Sequence, residues 1–292
     1  MAKNQLIQNS PYSGGHIILV TKHAKSIAIA PIFMEKLNAC VLEYYIDTDL
    51  FGTFTGEIER QGSALESARK KCEWAFNKLG PEVEYVLSSE GSFGPDPYLP
   101  FQPCDHEILY FIDRKRDFHF HLSCLSEKTN YRISEIDSLE ALRKFANQVK
   151  FPSHGLILRP NVTNDDTRIY KGITAVSDLD ELFKECQRAS SDGKVRVETD
   201  MRANFNPTRM SVIAELAEKL AEYLATNCPK CQLPGWGKVR QQKGLPCEYC
   251  DAPTEAIKYE VLGCAKCDYE EIRPLSESLN KAEQRYCGLC NP

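Results

Sequence analysis

The sequence lacks any apolar stretch of about 18 residues or more, the length that a transmembrane helix requires. Its most hydrophobic early segment, residues 27–33, contains Pro31 and follows Lys22 and Lys25. We therefore expect neither a signal peptide nor a membrane span. Thirteen cysteines without a secretory signal indicate a cytoplasmic protein, in which reduced thiols hold metal.

The sequence also lacks an excess of positive charge. Its formal net charge is −5, and residues 228–292 contain nine Lys or Arg against nine Asp or Glu. Nucleic-acid binding depends largely on cations that neutralise phosphates. We therefore expect no strong binding to nucleic acid.

Familiar catalytic signatures are missing as well. There is no Walker or dinucleotide-binding glycine pattern, no Gly-x-Ser-x-Gly elbow and no His-Glu-x-x-His motif. A catalytic site, if the chain has one, must be built from residues that are distant in sequence.

The most informative feature is a series of four Cys-x-x-Cys pairs near the C-terminus. They are Cys228/Cys231, Cys247/Cys250, Cys264/Cys267 and Cys287/Cys290. Two such pairs provide the four thiolates of one tetrahedral zinc site, so the sequence predicts two sites. Since all ligands would be protein thiolates, both zinc ions would be structural.

We call each Cys-x-x-Cys pair a knuckle, and the sequence leaves open which two knuckles share a zinc ion. Three arrangements are possible: neighbouring knuckles join, the two outer knuckles join and the two inner ones join, or the first joins the third and the second joins the fourth. Similarity between residues 247–253 and residues 287–292 slightly favours the last arrangement. Residues 256–263 and 268–273 alternate as strands around the third pair, as in a ribbon hairpin.

Hydrophobic periodicity predicts an α/β fold with a mixed sheet flanked by helices, followed by a small double zinc-ribbon domain. Residues 1–15 are expected to form a flexible arm, residues 16–226 the α/β domain and residues 227–292 the ribbon. The third predicted strand, residues 83–87, is expected to end in a polar loop over residues 88–95.

Charged residues gather after the predicted strands, where α/β folds place ligands. They are Lys22 and Lys25 after the first strand, Asp47 and Asp49 after the second, Glu90 after the third, and Asp200 with Arg202 after the last. Such a set predicts a phosphorylated ligand held by the cations and by Mg²⁺ on the carboxylates, with Asp47, Asp49, Glu90 and Asp200 in catalytic roles. The alternative is a set of solvated loop charges.

Arg209 lies in the first turn of a helix that Asn206 and Pro207 open. It either adds a cation to an anion site at this N-terminus or pairs with Glu198 or Asp200 to fix the turn.

Two family resemblances accompany these patterns. Residues 198–210, with Asp47-Thr-Asp, residues 52–57, residues 89–95 and the closing Cys-x-x-Cys-Asn-Pro, resemble an uncharacterised bacterial family described only as a domain of unknown function. That resemblance covers most of the chain and implies no activity.

Residues 16–125 more faintly resemble the inosine/xanthosine triphosphate pyrophosphatases. The similarity is carried by residues 21–25, Glu66-Ser67-Ala68-Arg69-Lys70-Lys71 and Ser89-Glu90-Gly91. The resemblance implies that Glu66 and Glu90 bind Mg²⁺, and that Lys22, Lys25 or Lys70 binds phosphates.

Two functions from different classes follow as predictions. The first is a Mg²⁺-dependent hydrolase of nucleotides or phosphate esters. The second is a non-catalytic adaptor whose zinc ribbon, with exposed aromatic residues such as Trp236, docks a protein partner.

Overall fold

The computed structural model describes residues 10–46, 62–97, 99–163, 168–276 and 280–291. Across these ranges the chain forms three sheets and five α-helices, the mixed α/β architecture that the sequence predicts. In the same ranges, no helix has both the length and the apolar character needed to cross a bilayer.

The first sheet has five strands in the order β2-β1-β3-β4-β5. Strand β1 is parallel to β2 and β3, whereas β3, β4 and β5 are antiparallel neighbours. The strands are β1 His16–Thr21, β2 Cys40–Tyr45, β3 Tyr85–Pro95, β4 Pro103–Asp113 and β5 Phe118–Ser126.

Helices cover both faces of this sheet. Helices α1 (Ser26–Leu37) and α5 (Pro207–Ala225) bury one apolar cluster, in which Leu109 and Phe111 of β4 take part. Helix α2 (Ala64–Leu79) buries a second cluster on the other face. Side chains alternate along a strand, so odd-numbered residues of β4 face α5 and even-numbered residues face α2.

Local signals define the ends of α2 and α5. Ser63 and Glu66 form a reciprocal capping box at the start of α2, and Gly80 ends that helix at φ 89°, a value that favours glycine. At α5 the side chain of Asn206 accepts a hydrogen bond from the Arg209 backbone N–H at 3.0 Å, and Pro207 takes the first helical position.

The second sheet has four antiparallel strands in the order β6-β9-β7-β8. Its apolar cluster is separate from those of the first sheet and includes Phe145 and Phe183 of the two covering helices. The elements are β6 Ile133–Ile136, α3 Leu139–Gln148, β7 Leu156–Pro160, β8 Tyr170–Ile173, α4 Val176–Ala189 and β9 Val195–Thr199.

The third sheet belongs to the C-terminal ribbon. It consists of β10 (Trp236–Lys243), β11 (Ile257–Cys264) and β12 (Glu270–Pro274), paired antiparallel in that order. Trp236 is buried and stacks on Tyr269 with ring centroids 5.5 Å apart, so the expectation of an exposed Trp236 is wrong.

The expectation of a loop over residues 88–95 is also wrong. Strand β3 continues to Pro95 because β4 pairs with it along its whole length, from Tyr85 opposite Asp113 to Pro95 opposite Pro103. Glu90 therefore lies within a strand, opposite Ile108, and its side chain projects from the α2 face of the sheet.

Candidate functional site

The eight ribbon cysteines form two compact groups. The first cysteine cluster is Cys228, Cys231, Cys264 and Cys267, and the second is Cys247, Cys250, Cys287 and Cys290. Within each cluster the Sγ atoms all lie within 4.8 Å of one another. The pairing of first with third and second with fourth knuckle is therefore confirmed.

The spacing of the sulfurs fits a zinc ion. Sγ atoms are 3.8 Å apart for Cys228 and Cys267 and 3.6 Å apart for Cys231 and Cys264. In the second cluster, Cys250 and Cys287 are 3.6 Å apart. Tetrahedral coordination with zinc–sulfur bonds of about 2.3 Å places sulfurs about 3.8 Å apart. Both clusters could hold one ion each.

Backbone N–H groups point at these sulfurs. Cys264 Sγ accepts from the N–H of Lys266 at 3.3 Å and from that of Cys267 at 3.4 Å. Burial opposes ionisation of Cys228, but the N–H groups of its own knuckle outweigh burial and lower its pKa to about 7. The N–H groups of Cys290 and Leu289 likewise lower the pKa of Cys287 to about 7. One thiol of each cluster thus favours the thiolate that binds metal, whereas burial raises the pKa of Cys264 to about 12.

A separate polar cluster lies at the edge of the first sheet, on the face that α5 covers. The Lys25 ammonium donates to Ser89 O at 3.2 Å and to Ser89 Oγ at 3.0 Å. The Arg209 guanidinium donates from Nε to Glu107 Oε1 at 2.5 Å and from Nη1 to Met201 O at 2.6 Å. We call Lys25, Ser89, Asp105, Glu107 and Arg209 the edge cluster.

Arg209 makes neither of the carboxylate pairs that the sequence suggested. Its partner is Glu107 on β4, because the odd-numbered face of that strand looks toward the first turn of α5. Glu198 instead pairs with Arg159 and Arg196, and Asp200 pairs with Arg202. Gly91 lies opposite Glu107, and a Cβ there would collide with both members of the Arg209–Glu107 pair.

Glu90 lies on the other face of the same edge. It forms a buried ion pair with Lys71 of α2. Lys71 was not among the predicted site residues, although a signal exists, because it occupies the apolar stripe of α2 beside Ala68, Cys72 and Ala75. Lys70, the neighbour suggested as a phosphate ligand, is exposed.

Asp200 and Arg202 form an ion pair with each other. Arg202 donates from Nε to Asp200 Oδ1 at 3.0 Å and from Nη2 to Oδ2 at 2.6 Å. Oδ2 also accepts from the Gly172 N–H at 3.0 Å, and the guanidinium lies over the Phe205 ring. Asp200 therefore fixes the turn between β9 and α5.

The pKa of His23 is affected by several of the predicted cations. Burial lowers its pKa to about 3, and four positive charges act in the same direction, namely Lys25, Arg209, Arg202 and Lys22. Predicted cations from separate chain segments therefore act electrostatically on one imidazole. Burial also lowers the pKa of Lys25 to about 7, further depressed by Arg209.

Asp105 and Glu107 are the other residues that the sequence analysis missed. Both are fully buried and project from the same face of β4. Burial, followed by the charge of Glu107, raises the pKa of Asp105 to about 8. Two carboxylates at alternate positions just before the apolar run 108–112 were the available signal.

The predicted ligand Glu66 is not part of the edge cluster. Glu66 is exposed, and its carboxylate accepts from the Ser63 N–H at 2.7 Å in the capping box of α2. Asp47 and Asp49 lie outside the described residues.

Comparison with known proteins supports the first family resemblance. A family model described as Domain of unknown function (DUF6671) matches residues 71–292, which is more than half of the chain. No curated protein matches the sequence.

Proposed function

The chain belongs to the family Domain of unknown function (DUF6671), and from that premise we propose that it binds a phosphorylated small molecule at the sheet edge and hydrolyses it with Mg²⁺. The observation that carries the proposal is the edge cluster, in which the buried ammonium of Lys25 bonds Ser89 of β3 and the buried guanidinium of Arg209 bonds Glu107 of β4 on the same face of the sheet. Ammonium and guanidinium groups are the side chains that bind phosphate oxygens most strongly. The site lies where α/β folds place their ligands.

The two cysteine clusters have a structural part in this proposal. Each would hold one zinc ion with four thiolates, which leaves no coordination position for substrate. The zinc ions would fold the ribbon, while the chemistry would take place at the edge cluster.

The proposed reaction is hydrolysis of a phosphoanhydride or phosphate ester. The oxygen of water forms a bond to phosphorus, the bond from phosphorus to the leaving oxygen breaks, and the water proton passes to solvent or to the leaving group. The cations stabilise the charge that develops on the phosphoryl oxygens.

The test compares Lys25→Met with Lys70→Met. Lys25 is buried at the edge, whereas Lys70 is an exposed lysine of α2. The wild type is screened with Mg²⁺ and inosine, xanthosine or adenosine triphosphate or pyrophosphate. We expect at least one of these compounds to raise its melting temperature. Losing one charge-assisted contact should weaken that binding about tenfold or more in Lys25→Met alone, and should reduce phosphate release in parallel.

The proposal fails if none of these polyphosphates stabilises the wild type, or if the two variants bind equally well. Binding without phosphate release would remove the hydrolytic half of the proposal and leave the binding half.

A second function is favoured by the surface of the second cysteine cluster. Tyr249 and Leu289, each between two cysteines of a knuckle, are both 77% exposed, and neighbouring Tyr286 is 51% exposed. Exposed apolar groups at one end of a small domain are typical of protein contacts. We propose that this tip docks an apolar segment of a partner protein.

A photo-reactive amino acid at position 249 tests the docking proposal. It should cross-link a defined partner in cells, and Leu289→Ser should abolish the cross-link without changing the zinc content. Cross-linking that survives Leu289→Ser would contradict it.

A further inference from the structure

The carboxylates predicted to hold a metal ion at the sheet edge are already engaged. Glu90 is paired with Lys71. Both oxygens of Asp200 accept hydrogen bonds, Oδ1 from the Arg202 N–H at 3.0 Å and Oδ2 from the Gly172 N–H at 3.0 Å, besides the Arg202 guanidinium. Neither residue has its charge available for a cation.

Asp105 and Glu107 differ from them. Among the described residues, Asp105 Oδ1, Asp105 Oδ2 and Glu107 Oε2 are buried and meet no hydrogen-bond donor. Buried carboxylate oxygens without a partner are costly, so they usually serve a ligand, an ion or a proton. The remaining oxygen, Glu107 Oε1, is held by Arg209, which fixes the orientation of the carboxylate.

Asp113 provides a comparison on the same strand. It is fully buried and projects from the same face of β4 as Asp105. Its Oδ1 accepts from the Arg116 N–H at 2.8 Å, and its Oδ2 accepts from Tyr12 Oη at 2.9 Å and from Arg116 Nη1 at 2.8 Å. A buried carboxylate of β4 is thus fully partnered at one end of the strand and not at the other.

We infer that Asp105 and Glu107 hold a divalent cation of the Mg²⁺ class at the edge cluster. Magnesium in proteins is commonly bound by one or two carboxylates, with waters and ligand phosphates completing an octahedron. The pair offers three oxygens, and Arg209 acts as the outer partner that orients a metal ligand.

The role of this cation rests on the proposed function. Lys25 and Arg209, beside Asp105 and Glu107, would bind the phosphates that the cation bridges. This assignment changes the predicted catalytic set. Asp105 and Glu107 replace Glu90 and Asp200 as the metal-binding carboxylates.

The experiment uses Mn²⁺ alone as the probe, on the full chain prepared with zinc and without any nucleotide. Electron paramagnetic resonance should show one bound Mn²⁺ per chain that Mg²⁺ displaces. Asp105→Asn keeps the shape and removes the charge, and it should weaken Mn²⁺ binding on the order of a hundredfold. Asp113→Asn is the matched control and should bind Mn²⁺ like the wild type.

A second measurement covers the case in which a variant folds poorly. Ligands that bind only the folded state raise the melting temperature, so Mg²⁺ should raise that of the wild type and of Asp113→Asn but not that of Asp105→Asn.

The inference is overturned if the wild type binds no Mn²⁺, in which case the two carboxyls share a proton. It is also overturned if Asp105→Asn binds Mn²⁺ as tightly as Asp113→Asn does. Mn²⁺ binding without any stabilisation by polyphosphates would instead support the metal site and contradict the proposed function, so the two failures can be told apart.

Discussion

The ribbon and the sheet edge are two polar centres built in opposite ways. The ribbon draws eight ligands of one kind from four short knuckles, and each knuckle is complete within four residues. The edge cluster draws its residues from the segment after β1, from β3 and β4, and from α5, which is more than 180 positions from Lys25 in sequence. The ribbon ligands come in pairs from short sequence segments, whereas the edge cluster forms only when distant segments pack together.

The two centres also differ in how their charges are balanced. In the ribbon, each cysteine cluster brings four thiols together at a spacing that fits a metal ion, which would balance the charge of their thiolates. At the edge, Glu90, Glu107 and Asp200 each have a basic partner, so most of the charge is neutralised within the protein. Substitutions in the ribbon should therefore change zinc content, whereas substitutions at the sheet edge should change stability or anion binding and leave zinc content constant.

The largest effect is expected from Cys264→Ser in the first cysteine cluster. Loss of one thiolate should remove about one zinc per chain and unfold the ribbon, because metal binding and folding are coupled in small ribbons. Metal analysis and hydrogen exchange of β10 to β12 measure this. Cys40→Ser, outside both clusters, is the control, and unchanged zinc content in Cys264→Ser would contradict the assignment.

The next effect concerns the buried pair of Glu90 and Lys71. Glu90→Gln leaves the Lys71 ammonium buried without its counter-ion, which typically costs about 3–5 kcal/mol of unfolding free energy. Urea unfolding should show this loss, and the double variant Glu90→Gln with Lys71→Met should recover most of it. Zinc content should stay constant. A wild-type melting curve for Glu90→Gln would mean that the pair is not formed.

A smaller effect is the pH dependence of anion binding through Lys25. Burial lowers the pKa of Lys25 to about 7, and four charged groups act on its ammonium: Arg209 on α5, Glu107 on β4, Lys71 on α2 and Glu90 on β3. Lys25 is cationic below that pH and neutral above it, so pyrophosphate affinity should fall as pH rises from one unit below to one unit above about 7. A bound anion shifts this transition upward.

The same shift affects stability with a defined sign. The unfolded chain keeps the lysine proton to higher pH than the folded chain, so the wild-type unfolding free energy should rise between pH 7 and pH 10.5. Calorimetry at constant ionic strength measures both trends. They should flatten in Lys25→Met, and an identical pH profile in that variant would exclude Lys25 as their source.

The smallest effect is expected where the ribbon meets the first sheet. Lys266 in the third knuckle pairs with Asp117 at 2.9 Å, but Asp117 is almost fully exposed, so Lys266→Met should not change the melting temperature measurably. Gly237→Ala should loosen the ribbon more, because its Cβ would collide with the Tyr223 ring of α5. Equal effects of the two variants would contradict this ranking.

Much of the fold could be predicted because periodicity and capping are local. Helices α2 and α5 begin at the Ser63 and Asn206 caps, and β1 contains the unbroken apolar run of residues 17–20. The extension of β3 to Pro95 could not be predicted in this way. Polar and glycine residues there are typical of a loop, and only pairing with β4 makes them a strand.

The sequence by itself determined the four Cys-x-x-Cys pairs, because a two-residue spacer already sets two sulfurs at the distance that one tetrahedral ion needs, whereas the structure decided which pairs join in one cluster. It also determined that cations would follow the strands. Only the tertiary structure decided which carboxylate each cation meets, that Lys71 and not Lys70 is buried, and that Asp105 and Glu107 lie beside Arg209. The physical reason is that the face on which a side chain lies depends on which elements pack there, and ion pairing between remote segments leaves no spacing in the sequence.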